Sequence, residues 1–180
     1  MRRLVRLSVV ALVPACAATA PAPASTATQV LATPLIAGAT TISDLSLATY
    51  PDAGTHDFSA DQGQIVVLDA WATWCGPCTR SLPLLQALRR DYAARGVRVY
   101  AVSVDEDRAQ IPRFLASARV DLPVLLDPGG YVLEEKLKLK LMPTTWVVDR
   151  AGQVRFTQET FGGNLDDVRA QVDVLLREAR

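Results

Sequence analysis

The stretch V67-L-D-A-W-A-T-W-C-G-P-C-T-R-S-L-P83 decides how the chain is read. It begins inside "QIVVLDAW" (64–71), a near-continuous apolar run. A strand buried on both faces has that texture. It ends in a segment whose apolar residues recur at helical spacing. Between the two stand Cys75 and Cys78, two of the three cysteines in the chain.

Downstream, residues 77–95 are expected to form a helix. Leu85, Leu88 and Tyr92 fall on one face, and Arg80, Arg89, Arg90 and Asp91 on the other. Gly96 stops it. "VRVYAVSVD" (97–105) reads as a second buried strand. Residues 107–119 read as a helix with Ile111, Phe114, Leu115 and Ala118 inward. "LPVLLD" (122–127) is a short strand, and "GYVLEEKLKL" (130–139) a helix. "TTWVVDR" and "QVRFTQE" flank "AG" as a hairpin. Asn164 is expected to cap a last helix carrying the stripe Val168, Val172, Leu175 and Ala179. Upstream, "TISDLSLATY" and "THDFSA" are strand-like pieces around the turn "PDAGT". Strands alternating with helices predict an α/β layered domain with a central mixed sheet.

The first 39 residues have a different texture. Arg2, Arg3 and Arg6 precede the short apolar stretch "LSVVALVPA" and then Cys16. That stretch is too short to span a bilayer, and the pattern is that of an export signal. "VPAC" (13–16) resembles a bacterial lipobox, which would make Cys16 a lipidated first residue. The alternative is ordinary signal-peptidase cleavage near "ACA" or "ATA". Residues 17–34 are rich in Ala, Thr and Pro and carry no charge, the composition of a tether. The expected organisation is a signal over 1–15, a tether over 16–39 and a folded domain over 40–180.

Bulk properties exclude several functions. The 180 residues carry 19 basic and 19 acidic side chains, with no polybasic run. Nucleic acid binding therefore lacks an electrostatic footing. A 49% hydrophobic chain of this length builds its own core, and three cysteines are too few for a disulfide scaffold.

Three readings of the cysteine pair compete. Structural zinc needs four ligands. Beyond the pair the chain offers only His56 and Cys16, so no metal is expected, and a copper carrier lacks a later histidine. A structural disulfide closing so small a loop stabilises weakly. The third reading is redox chemistry. A cysteine at a helix start faces unpaired N–H groups and the positive helix end, which favour the thiolate. The second cysteine lies one turn on. The C-x-x-C by itself does not decide among these readings.

The context does point one way. W-C-G-P-C after a buried strand and at a helix start resembles the thioredoxin superfamily, over about residues 40–180. Asp69 stands six residues before Cys75, where thioredoxins carry a buried aspartate that moves the proton of the second cysteine. Trp71 and Trp74 match the aromatic pair ahead of the motif, and Pro83 matches the helix proline after it. "MPTTWVVD" (142–149) looks like the cis-proline segment. Within the superfamily the chain is most similar to the extracytoplasmic TlpA/ResA-like group. It shares an N-terminal hairpin, an inserted α/β piece over 107–127 and an exported N-terminus. It departs from that group at Ser81, where some members carry an acid, and at Asp69, where many carry a neutral residue.

The resemblance implies a thioredoxin-like fold and thiol–disulfide exchange with no bound cofactor. Cys75 would attack and Cys78 would resolve, aided by Asp69. Trp74, Gly76, Pro77, Met142 and Pro143 would form the surface that meets substrate. Pro143 would be cis, with the Met142 backbone free to pair with an extended segment. Implied partners are protein disulfides, such as those of apocytochrome c, and a membrane thiol–disulfide electron donor. The chain would be a monomer held at a membrane by its lipid anchor, in the periplasm or cell envelope. The Gly-Pro dipeptide favours a reductase. The alternatives are a disulfide oxidase or isomerase, and a non-catalytic binding lipoprotein. Lys136, Lys138 and Lys140 read as a solvated face, and His56 is assigned no function.

Overall fold

The computed structural model describes residues 40–178. The expected signal, Cys16 and tether lie outside those residues, as does Ala179 of the last helical stripe.

The chain order is β1 (Ser46–Tyr50), β2 (Thr55–Asp57), β3 (Ile65–Trp71), α1 (Cys78–Tyr92), β4 (Val97–Ser103), α2 (Ile111–Ala118), β5 (Val124–Leu126), α3 (Tyr131–Leu137), β6 (Thr144–Val148), β7 (Val154–Glu159) and α4 (Asp166–Arg177). The strands form one sheet in the order β2-β1-β5-β4-β3-β6-β7. β3 runs parallel to β4, β4 runs parallel to β5, and the remaining pairings are antiparallel. This is the mixed sheet that the alternation of elements predicts.

β3 lies inside the sheet, between β4 and β6, where an apolar strand with two covered faces belongs. All seven of its residues are buried. A strand covered on both faces needs helices above and below. α1 packs on β4, while α4 packs on β3, β6 and β7. Leu85, Leu88 and Tyr92 of α1 are buried, as its spacing predicts. The helix is shorter than expected. Residues 93–95 tighten into a 3-10 turn, and Gly96 takes the left-handed conformation (φ 79°) that lets the chain turn into β4. α1 and α4 are tied at the surface, where Tyr92 Oη donates to Asp173 (3.1 Å) and Arg169 pairs with Asp91 (2.8 Å).

Two helices differ from expectation. α2 begins only at Ile111, after a 3-10 turn, and Ile111 is its one buried residue. Phe114, Leu115 and Ala118 are half-buried, because little of the fold covers that side of the short helix. α3 stops at Leu137, and Lys138 turns left-handed (φ 59°), so the Lys-Leu alternation runs on as a connection to β6. At α4 the N-cap position falls to Leu165, one residue later than expected, and Asn164 Oδ1 accepts the Asp166 N–H at 3.1 Å from just outside the helix.

The N-terminal hairpin carries a buried polar group that the sequence reading passes over. Asp61 accepts from Tyr100 Oη (3.0 Å) and lies 2.8 Å from His56 Nε2. The His56 ring packs on Phe58 and Tyr100. Desolvation, then the Asp61 charge, pushes the Tyr100 hydroxyl above its ordinary pKa. His56 thus serves to fasten β2 and the turn after it to β4. The Tyr50–Pro51 bond in the same hairpin is cis.

Candidate active site

Cys75 and Cys78 form a disulfide with Cα atoms 5.4 Å apart. Local structure brings them together. The Cys75 N–H donates to Ala72 O (3.1 Å), and the Cys78 N–H donates to Cys75 O (3.1 Å). Two successive tight turns therefore lead from the end of β3 into α1. Pro77 sits just before the helix with φ −62°, already helical. The Gly76 N–H has no intrachain partner among the described residues. The first turn of α1 contains no acidic residue. The site therefore presents positive partial charge and no nearby first-turn carboxylate, conditions that favour a thiolate.

The two sulfurs are not equivalent. Cys75 keeps 5% of its surface and Cys78 keeps none. An incoming group meets Cys75 first. Around it, Trp74 is 69% exposed, and Gly76 and Pro77 are exposed as well. Met142 is half-buried, and the Met142–Pro143 bond is cis. Pro143 O accepts from Thr160 N (2.9 Å), whereas the Met142 backbone has no intrachain partner among the described residues. A cavity of about 540 Å³ opens next to Trp74, with Thr73, Asp105, Leu141 and Met142 also on its wall. Lys140 also lines it, whereas Lys136 pairs with Asp44 (3.3 Å) and Lys138 Nζ donates to Glu135 O (2.8 Å).

Asp69 lies in the middle of β3 and is fully buried. Its register partner in β6 is Thr145, whose Oγ1 donates to Asp69 Oδ2 at 2.7 Å. Oδ1 has no partner among the described residues. Burial penalises the carboxylate more than the Thr145 bond helps it, so the pKa rises from 3.8 to about 7. A carboxyl group poised near neutrality can take up and release a proton under ordinary conditions. Trp71 is also fully buried and packs on Phe114 (ring centroids 5.0 Å). It is core, unlike Trp74.

One cluster escapes the sequence reading. The buried Asp105 accepts the Thr73 N–H with both oxygens (3.1 and 3.0 Å), the Thr73 hydroxyl (2.7 Å) and the Ser103 hydroxyl (2.8 Å). Only the polar spacing Ser103-x-Asp105 at a strand end hints at it.

Comparison with known proteins agrees with this geometry. The Redoxin family model matches residues 17–172. A thiol-disulfide oxidoreductase ResA of Oceanobacillus iheyensis is 32% identical over 126 residues, covering 67% of this chain and 65% of that protein. Another ResA, from Geobacillus kaustophilus, is 29% identical over 63% of this chain and 68% of its own length. The chain thus spans about two thirds of the length of these curated relatives. Among solved structures, a Chlorobium tepidum protein named as a thiol:disulfide interchange protein DsbE superposes with TM-score 0.69 at 29% identity. That superposition covers 77% of this chain and 96% of the other. The fold is thioredoxin-like, with the hairpin extension and the α2–β5 piece added to it. A family model that runs through the sheet, the cysteine turn and the cis-proline segment alike places the chain in the Redoxin family, among its TlpA/ResA-like thioredoxin-fold members.

Proposed function

We propose that the chain is a thiol–disulfide oxidoreductase that works as a reductase of disulfides in exported proteins. The observation that carries this is the Cys75–Cys78 pair at a helix entrance, with one sulfur reachable and the other sealed. The names of the ResA and DsbE relatives support the same chemistry.

In the reduced protein, the Cys75 thiolate attacks one sulfur of a substrate disulfide. A Cys75–substrate bond forms, and the other substrate sulfur leaves as a thiolate. Cys78 gives its proton to Asp69 and attacks the Cys75 sulfur. The second substrate thiol is released, and the Cys75–Cys78 disulfide of this structure results. Two electrons pass to the substrate, and an external dithiol must return them. A membrane thiol–disulfide protein is the natural donor if Cys16 anchors the chain in the envelope. Haem-attachment cysteines of apocytochrome c are a fitting substrate, an extension that rests on the likeness to the ResA group. The cavity wall of Trp74 and the Met142 backbone, unpaired among the described residues, suit an extended segment docking beside Cys75.

Purified protein regenerated by a dithiol should accelerate reduction of insulin disulfides at least tenfold over the dithiol alone. Trp74→Ala should slow insulin reduction several-fold. It should leave reduction of a small aryl disulfide within twofold, because an exposed indole contributes docking area and little stability. A protein that adds nothing to the dithiol rate would refute the reading.

A further inference from the structure

The polar cluster behind the cysteine turn does work that the redox chemistry above leaves unassigned. Thr73 stands between the end of β3 and Trp74-Cys75. Its amide and hydroxyl are both held by the Asp105 carboxylate, which follows β4. Ser103 Oγ fixes that carboxylate from behind at 2.8 Å and accepts the Asp105 N–H at 3.2 Å. The same two strand ends are joined by the Val104 N–H donating to Trp71 O (2.9 Å). The Cys75 amide is then placed by Ala72 O. Between the rigid sheet and Cys75, the turn is held at Trp71 O, at Thr73 and at Ala72 O. The Thr73 tie is the only one of the three made by side chains.

A carboxylate that is 5% exposed and takes donors on both oxygens is an expensive group to bury for a surface turn. A hydrophobic contact or a single capping hydroxyl would close such a turn at lower cost. What the carboxylate adds is a fixed direction. It orients the peptide that carries Trp74, and Trp74 is the exposed wall beside Cys75.

We propose that Asp105, acting through Thr73, is a positioning residue that holds Trp74 and Cys75 in the orientation needed for in-line attack on a protein disulfide. This rests on the oxidoreductase reading above. Thiol–disulfide exchange demands that the attacking sulfur, the central sulfur and the leaving sulfur align, so orientation enters the rate directly. Alkylation of Cys75 by a small reagent makes far weaker orientational demands.

The test pairs those two reactions. On the full chain, Asp105→Asn keeps the shape but removes an acceptor. It should lower the rate of insulin reduction about tenfold while leaving iodoacetamide alkylation of reduced Cys75 within twofold. Asp127→Asn is the structural control. Asp127 is likewise buried and accepts two backbone amides, Val132 and Leu133, but it holds α3 and not the cysteine turn. It should keep both rates within twofold. Thr73→Val should lose about threefold, and Thr73→Ser should restore the parent rate. These two variants carry the test if Asp105→Asn does not fold. Equal losses in Asp105→Asn and Asp127→Asn, an unchanged insulin rate, or an altered alkylation rate would overturn the proposal. A parent protein that does not reduce insulin at all would instead refute the oxidoreductase reading.

Discussion

Replacing Cys75 with serine should abolish disulfide reduction and leave the fold in place. The loss should be on the order of a thousandfold or more, because a hydroxyl near neutral pH offers almost no anion to attack sulfur. Cys78 cannot substitute for it. Cys78 retains no exposed surface, while Cys75 retains 5%, and a substrate disulfide can reach only the latter. The structural cost is small. The bridge closes a loop of four residues, so its entropic contribution is about 2 kcal/mol or less. Sulfur-to-oxygen exchange at the rim of the core opens no large cavity. Cys78→Ser should behave differently, because Cys75 still attacks but the mixed disulfide then persists and is visible as an added mass. Unchanged cellular function in Cys75→Ser, with disulfide reduction lost, would leave only a docking role for the fold.

Asp69→Asn should make the protein more stable at alkaline pH and slower as a reductase. Burial raises the Asp69 pKa from 3.8 to about 7. The folded state therefore binds this proton more tightly than the unfolded state. Between roughly pH 4 and 7 the unfolded chain releases it and the folded chain does not, so stability falls as pH rises through that window. Above the folded pKa the full cost remains, an upper bound of roughly 4 kcal/mol from the size of the shift. Asparagine removes the charge and still accepts from Thr145 Oγ1. Its amide group would sit where Oδ1 has no partner among the described residues, which reduces the gain to about 1–3 kcal/mol at pH 8. At pH 4 the gain should vanish. Denaturant melts at the two pH values measure this.

The rate should move the other way. A positioned general base supplies about 10²–10⁴ in rate, and the lower end is expected here because thiols also ionise unaided. The parent's resolution rate should climb through the carboxyl's titration near 7 and then level off, whereas the variant should lack that inflection. A variant that is less stable than the parent at pH 8, or equally fast, would contradict the assigned role.

Local chemistry made the centre of this fold readable. The apolar run 64–71 has no other home than a covered strand, and the stripe Leu85, Leu88 and Tyr92 marks the face that α1 packs against the sheet. The cysteine pair was visible for the same reason. The role proposed for Asp69 and the cis bond before Pro143 were different, since both came from resemblance to a family and neither from the residues alone. What stayed hidden was held together across the chain. Thr73 and Asp105 are 32 residues apart, and neither Thr73 after one strand nor Asp105 at the end of the next shows its partner in the sequence. His56 looked idle because its partners, Asp61 and Tyr100, meet it only when the hairpin folds onto β4. The half-exposed face of α2 was misjudged because periodicity reports which residues share a face, not how much of the fold covers it.

In the proposed function, Cys75 and Cys78 work as a reducing couple. The most direct test equilibrates the purified protein in dithiol–disulfide buffers of graded potential and counts its free thiols by mass. Both thiols should appear together, as one two-electron step, close to the ~−270 mV of a thioredoxin. A midpoint near the ~−120 mV of DsbA would contradict that function and make the protein an oxidant of its substrates.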